Sequence, residues 1–209
     1  MVRNKVGVKM LVIGLTGNIG CGKSSLSEIF LSEDIKIIDA DIIARQIYDD
    51  EKLLNKIYDI FGTDIRNNDG SLNRKALGRI VFNDDEKLIQ LNKMTHPVIR
   101  QKVSDYIEEY KNKDEKIVVL DAALLVESDY LNFIDKLLVV TCEESIQIKR
   151  VRKRDNCSTE EALSRIKSQM SQEEKKKYAD YVIDNSGTIE ELREKASIFM
   201  DYIKEKWCE

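Results

Sequence analysis

A chain of 209 residues that is 42% apolar and 34% charged can bury a sizeable core without disulfide or metal staples. Its 34 basic and 38 acidic residues leave a formal charge of −4, which excludes a global electrostatic pull toward nucleic acid or anionic lipid. The 4 cysteines are widely spaced, with no C-x-x-C and a single His beside them, so a zinc site is disfavoured and reduced thiols in a cytoplasmic protein are expected.

In chain order, residues 1–9 are basic and read as an N-terminal extension. The apolar run behind them is short, is broken by Gly14 and carries no cleavage signal; a signal peptide is not expected, and no run approaches membrane-spanning length. Met10–Thr16 is apolar and β-branched, a buried strand. It leads into Gly17-Asn18-Ile19-Gly20-Cys21-Gly22-Lys23-Ser24, which has the form G-x-x-x-x-G-K-[ST] of a phosphate-binding loop. Leu26, Ile29 and Phe30 follow at helical spacing, so the loop sits between a strand and a helix, as this chemistry requires. Gly17, Gly20 and Gly22 can take positive φ and turn backbone N–H groups onto one anion. The helix start adds its positive dipole end. Lys23 is expected on the β- and γ-phosphates, the Ser24 hydroxyl on Mg²⁺, and Ser25 in the same ATP-contacting set.

Ile35–Ile38 reads as a second strand, ending in Asp39-Ala40-Asp41. On an extended backbone two acids two residues apart point the same way, at the end of the sheet where ligands bind. Asp39 is expected to cap a helix from Ile42, and Asp41 to act as base for a substrate hydroxyl. Arg45, four residues on, would pair with Asp41 or hold substrate phosphate. The chain is then mostly helical to about Tyr110, with Leu53, Leu54, Ile57, Ile60 and Phe61 as one apolar stripe. It reads as a helical insertion covering the acceptor. Pro97 is predicted in the first turn of a helix running from Val98. His96, beside it, is by type more often structural than ligand-binding.

Lys116–Asp121 is a third strand ending in an acid, an arrangement that places a carboxylate near Mg²⁺. Lys136–Thr141 is a fourth. The helix after it ends in Lys149-Arg-Val-Arg-Lys-Arg154, where Arg150 and Arg154 share a face and suit the oxygens of a transferring phosphoryl group. The acidic whole and the lack of interleaved aromatics argue against nucleic acid as partner of this run. A further helix begins with Thr159–Ala162, capped by Ser158 or Thr159, with Leu163, Ile166 and Met170 at helical spacing and Arg165 and Gln169 as an i,i+4 pair. Gln172–Tyr178 is a charged segment. Tyr181–Asp184 is a fifth strand, followed by the turn Asn185-Ser-Gly187 and a last helix to Trp207. Five strands alternating with helices predict an α/β fold with a parallel sheet covered on both faces.

The segments 14–24, 38–45, 72–82, 91–99, 121–127, 147–155, 165–169 and 179–185 resemble, in order, those of the dephospho-coenzyme A kinase family. The joint Asp-Ala-Asp, His-Pro and Asp-x-x-Leu-Leu-x-Glu set is specific to it, whereas the loop alone is shared by many kinases. The resemblance implies phosphorylation of the ribose 3′-hydroxyl of dephospho-coenzyme A by ATP with Mg²⁺, the last step of coenzyme A synthesis. It implies a P-loop kinase core (10–45, 116–150 and 179–209), a helical coenzyme-A-binding domain (46–115) and a lid (151–178). Asp41 matches the family's base, with Lys23 and Arg150 as its catalytic partners, and Arg150 and Arg154 match its lid-side arginines. Asn185 and Gly187 fall near the adenine. His96, Asp121, Leu124 and Glu127 fall on the acceptor side. The family usually has Pro where Ala123 stands, an aromatic where Val126 stands and Ser where Cys21 stands. A kinase for another small hydroxyl acceptor is the nearest alternative. A GTPase switch is disfavoured by the absence of an Asn-Lys-x-Asp signature. No membrane or nucleic-acid partner is expected, and oligomeric state is left open.

Overall fold

The computed structural model describes residues 10–207; the expected extension at 1–9 and Cys208 lie outside the described residues. The chain divides into two compact units, one holding the chain up to Asp39 and from Ile107 onward, the other Ala40–Tyr106. In chain order the first unit opens with β1 (Leu11–Gly17), α1 (Lys23–Ser32) and β2 (Lys36–Asp39). The second contains α2 (Ala40–Gln46), α3 (Glu51–Phe61), α4 (Arg74–Val81) and most of α5 (Asp85–Asn112). The first unit resumes with β3 (Ile117–Asp121), β4 (Lys136–Thr141), α6 (Glu144–Asp155), α7 (Thr159–Lys167), α8 (Gln172–Lys176), β5 (Tyr181–Asp184) and α9 (Ile189–Lys206).

The five strands form one parallel sheet in the order β2-β3-β1-β4-β5, flanked by helices. Every residue of β1 is buried, which is why its sequence shows no apolar–polar alternation and carries only Thr16, hydrogen-bonded through its hydroxyl, as a polar side chain. At the edge the pattern relaxes, and in β5 only Ile183 is buried. Leu26 and Phe30 of α1 and Leu192, Ala196, Phe199 and Ile203 of α9 recur at three- and four-residue spacing and fill one core with β1 and β4. The rings of Phe30 and Phe199 lie 6.0 Å apart there. Full burial of each such side chain contributes about 1.5–3 kcal/mol.

In the second unit three expectations change. The helix after β2 begins at Ala40, not Ile42, so Asp41 lies in the first turn of α2 and does not share an extended backbone with Asp39. Pro97 lies inside the 28-residue α5 instead of opening a helix. The stripe Leu91, Thr95, Ile99 and Val103 is buried on both sides of it, and this packing outweighs the one hydrogen bond that proline forfeits. On α3, Ile60 is exposed and Tyr58 is buried in its place beside Leu53, Ile57 and Phe61.

Between α6 and α7 the cap is Ser158, whose hydroxyl accepts from the Glu161 N–H in a reciprocal capping box. The expected Arg165–Gln169 pair is not formed as such, because α7 ends at Lys167. Arg165 instead donates to Asp155 (2.6 Å), which Arg154 also grips through two nitrogens (2.7 and 3.0 Å). Among the described residues no helix is long and apolar enough to cross a membrane.

Candidate active site

The loop Gly17–Ser24 leaves the carboxyl end of β1 at the middle of the sheet. Gly20 and Gly22 have φ of +81° and +88°, the left-handed region open to glycine. Gly17 has no positive φ; it is required by packing, because a Cβ there would stand 2.7 Å from the Val140 carbonyl oxygen of the neighbouring strand. At Gly22 a Cβ would meet Nδ2 of Asn185 at 2.1 Å. That amide is buried and donates to the Cys21 carbonyl (2.8 Å), so the turn after β5 holds the loop from one side. Arg150 donates to the carbonyl oxygens of Asn185 (2.8 Å) and Gly187 (3.4 Å). The structure thus brings Arg150, Asn185 and Gly187 to the loop.

Lys23, the first residue of α1, is ion-paired with Asp121 at the end of β3. The Ser27 hydroxyl, one turn on, donates to the other Asp121 oxygen (2.5 Å). Burial pushes the Asp121 carboxyl above its ordinary value, the Lys23 charge opposes this, and the nearby Asp39 adds to it. Asp39 is the register partner of Asp121 on the adjacent strand. Ser24 is exposed at the start of α1. With Asp39 and Asp121 it offers oxygen donors only, which suits a hard divalent cation. Among the described residues no group of three or more His, Cys, Asp or Glu could hold a metal by itself, so any such ion would rely on phosphate and water ligands as well.

The remaining expected residues are placed differently. Arg154 is engaged with Asp155. Glu127 is paired with Lys175 at 3.0 Å, and Leu124 is exposed. In the second unit, Asp41 and Arg45 are exposed on α2, where the Arg45 carbonyl accepts from Arg74, and His96 is exposed on α5.

Several contributors carry no sequence signal of their own role. Gln147, fully buried on α6, donates to the Ile19 carbonyl (2.8 Å), while Gln169 accepts from the Ile19 N–H (2.8 Å). Asn18 donates to the Met170 carbonyl (2.7 Å). Gln172 accepts from the Cys142 N–H (2.9 Å) and donates to the Cys142 carbonyl and to Gln147 (3.0 and 3.1 Å). These amides tie residues 169–172 to the loop and line a cleft of about 700 Å³. Lys175, in a run that reads as a charged segment, is wholly buried and also donates to the Ala123 carbonyl (2.8 Å), to which the Thr16 hydroxyl donates as well (3.1 Å). The one clue available in sequence is that Gln147 and Val151 share a helical face turned toward the core.

A strand–loop–helix phosphate site on a parallel sheet is common to many kinases, so residue-level comparison decides the family. The profile of the dephospho-CoA kinase family matches residues 11–191. The chain belongs to the dephospho-CoA kinase family. A dephospho-CoA kinase of Bacillus cereus is 47% identical over 180 residues, covering 86% of this chain and 90% of the relative. Among solved structures, a dephospho-CoA kinase from Campylobacter jejuni is 32% identical with a TM-score of 0.72, over 92% of this chain and 96% of that one. A protein of Thermus thermophilus is 32% identical with a TM-score of 0.77, over 92% and 97%. Membership in a dephospho-CoA kinase family makes the chain a P-loop kinase, and kinases of this kind that use ATP generally need a divalent metal.

Proposed function

We propose that this chain transfers the γ-phosphoryl group of ATP to the ribose 3′-hydroxyl of dephospho-coenzyme A, giving coenzyme A and ADP. Family membership across residues 11–191 is the observation that carries this reading. The donor half falls to the loop. Its N–H groups, the start of α1 and Lys23 hold the triphosphate, with Gly17 to Ser25 in contact with ATP. The Ser24 hydroxyl would hold Mg²⁺, which when bound spreads the charge on the β- and γ-oxygens. Arg150 brings its fork toward the γ-phosphate; its anchorage on the carbonyls of Asn185 and Gly187 supports this, because a fixed guanidinium loses little freedom on binding. Asn185 and Gly187 lie beside the adenine, and Arg154 joins the phosphate contacts from the lid segment.

For the acceptor half, Asp41 takes the proton of the 3′-hydroxyl as its oxygen bonds to the γ-phosphorus and the bond to the ADP oxygen breaks. Its chain position supports this role, two residues past the carboxyl end of β2, where ligands of open parallel sheets bind. Arg45, His96, Asp121, Leu124 and Glu127 contact or frame the acceptor. A cytoplasmic setting goes with ATP as donor. The test is ATP consumption measured over candidate acceptors. Turnover that depends on dephospho-coenzyme A supports the reading; robust turnover with a nucleoside or sugar and none with dephospho-coenzyme A overturns it.

A further inference from the structure

The phosphate-binding loop holds a cysteine in contact with the sulfur of the residue that follows β4. Cys21 Sγ lies 3.4 Å from Cys142 Sγ, and both residues are buried. The two are 121 positions apart in sequence, so the sheet alone brings them together. Their surroundings differ in stiffness. Cys142 directly follows β4, and both its N–H and its carbonyl are bonded to the Gln172 amide. Cys21 stands between Gly20 and Gly22, the two left-handed glycines of the loop. Cys142 also lines the 700 Å³ cleft, which gives a small oxidant a way in. Cys157, the other described cysteine, has no part in this cluster.

We propose that Cys21 and Cys142 form a dithiol that closes to a disulfide and thereby disables nucleotide binding by the loop. The oxidant class is a peroxide. The Cys142 thiol gives up its proton and its sulfur attacks one peroxide oxygen; the O–O bond breaks, a sulfenic acid forms, and the leaving hydroxide takes up that proton as water. The Cys21 sulfur then bonds to the sulfenic sulfur, whose hydroxyl leaves with the Cys21 proton as water. Two thiols lose two electrons in all, and hydrogen peroxide is reduced to two waters. Cys142 is the better first nucleophile, because its contact with Cys21 and the Arg150 guanidinium hold its thiol below the ordinary value against burial. The same contact, with burial, pushes Cys21 up.

Loss of binding follows from which partner must move. To close from 3.4 Å to bonding distance, one sulfur must be carried toward the other. Cys142 directly follows β4 and has both its N–H and its carbonyl bonded to Gln172, whereas only the thiol of Cys21 reaches that amide (3.4 Å), so closure draws the Cys21 side chain off this contact and pulls on its peptide. That peptide's carbonyl is held by Asn185 and its N–H by the Asn18 carbonyl (2.8 and 3.0 Å). Displacing it re-aims the adjoining N–H groups, whose common aim is what makes the loop an anion site.

The inference needs only that the loop binds nucleotide, and its test does not depend on the acceptor. The full chain carrying Cys157→Ser and Cys208→Ser, in which only this pair remains, is treated with hydrogen peroxide. Peptide mass spectrometry then seeks a Cys21–Cys142 cross-link, and a fluorescent ATP analogue reports binding. The expected result is the cross-link, a fall in nucleotide affinity on the order of tenfold from lost N–H anchoring, and recovery with dithiothreitol. Adding Cys142→Ala should leave untreated binding unchanged and abolish the peroxide effect. The proposal is overturned if no cross-link forms, if it forms with affinity unchanged, or if the Cys142→Ala chain is inactivated equally. A chain that shows the switch but does not phosphorylate dephospho-coenzyme A would sink the proposed function and leave this inference standing.

Discussion

The Lys175 ammonium, with no solvent exposure of its own, lies 3.0 Å from a carboxylate oxygen of Glu127, whose side chain is 23% exposed. The two are not equivalent in what their loss would leave behind. Glu127→Gln strands a buried ammonium, and breaking such a pair costs about 3–5 kcal/mol. Lys175→Met leaves a carboxylate that water can reach, so it should cost less. Urea unfolding of both variants should rank Glu127→Gln as the more damaging; the reverse order would show that the ammonium is stabilised chiefly by the Ala123 carbonyl.

Asp41→Asn removes a proton acceptor and leaves the loop intact. Turnover should fall by a factor of order 10² or more, as loss of a positioned base predicts, with ATP affinity kept. Steady-state kinetics beside a nucleotide-binding titration separates the two effects. Full activity in this variant would show the base assignment to be wrong.

Replacing Lys23 by Met should abolish turnover and also change how stability depends on pH. Asp121 already has its folded pKa above the ordinary carboxylate value through burial, and Lys23 is what opposes the rise. Without that cation the value rises further, and the folded state binds more protons than the unfolded one over a wider range. The cost of ionising Asp121 is then absent at acid pH and fully present above the raised value. The gap in Tm between Lys23→Met and the parent should therefore widen from acid to neutral pH. A gap that is constant, or that narrows, would contradict the assigned coupling.

Gly22 and Gly62 both have positive φ, +88° and +89°, but differ in ψ (27° and 164°) and in what surrounds them. An added Cβ meets Asn185 at 2.1 Å at the first and nothing within 4 Å at the second. Gly62→Ala should cost only the backbone strain of that glycine-only conformation, about 1–3 kcal/mol, with ATP affinity untouched. Gly22→Ala adds a collision with the amide that holds the loop, and calorimetry should show ATP binding lost while the fold persists.

How much could be read from sequence followed the range of the interactions involved. Gly20, Gly22 and Lys23 announce themselves because the demands on them are local, and β1 because a doubly covered strand shows no apolar–polar alternation. Pro97 misled because a local rule about helix starts lost to burial of the stripe around it. The two acids Asp39 and Asp41 misled because the helix begins at Ala40, two residues sooner than the extended reading places it. Gln172 and Lys175 could not be found, and Gln147 only through its shared face with Val151, since their partners lie 30, 52 and 128 positions away. For the candidate site, the donor side was accordingly more legible than the packing that supports it.

The strand order also constrains how this chain can be made. Both neighbours of β1 come late: its Leu11 pairs with Ile117 and its Ile13 with Lys136. A ribosome therefore releases this wholly buried strand long before either partner exists, and its backbone groups must wait unpaired through the synthesis of the whole helical block. That block, Ala40–Tyr106, has contacts of its own and can condense meanwhile. The phosphate-binding loop, translated before the helical block, is among the last features to acquire its shape. Its acquisition should be slow for the same reason, because closing so long a loop carries an entropic cost before any sheet contact rewards it.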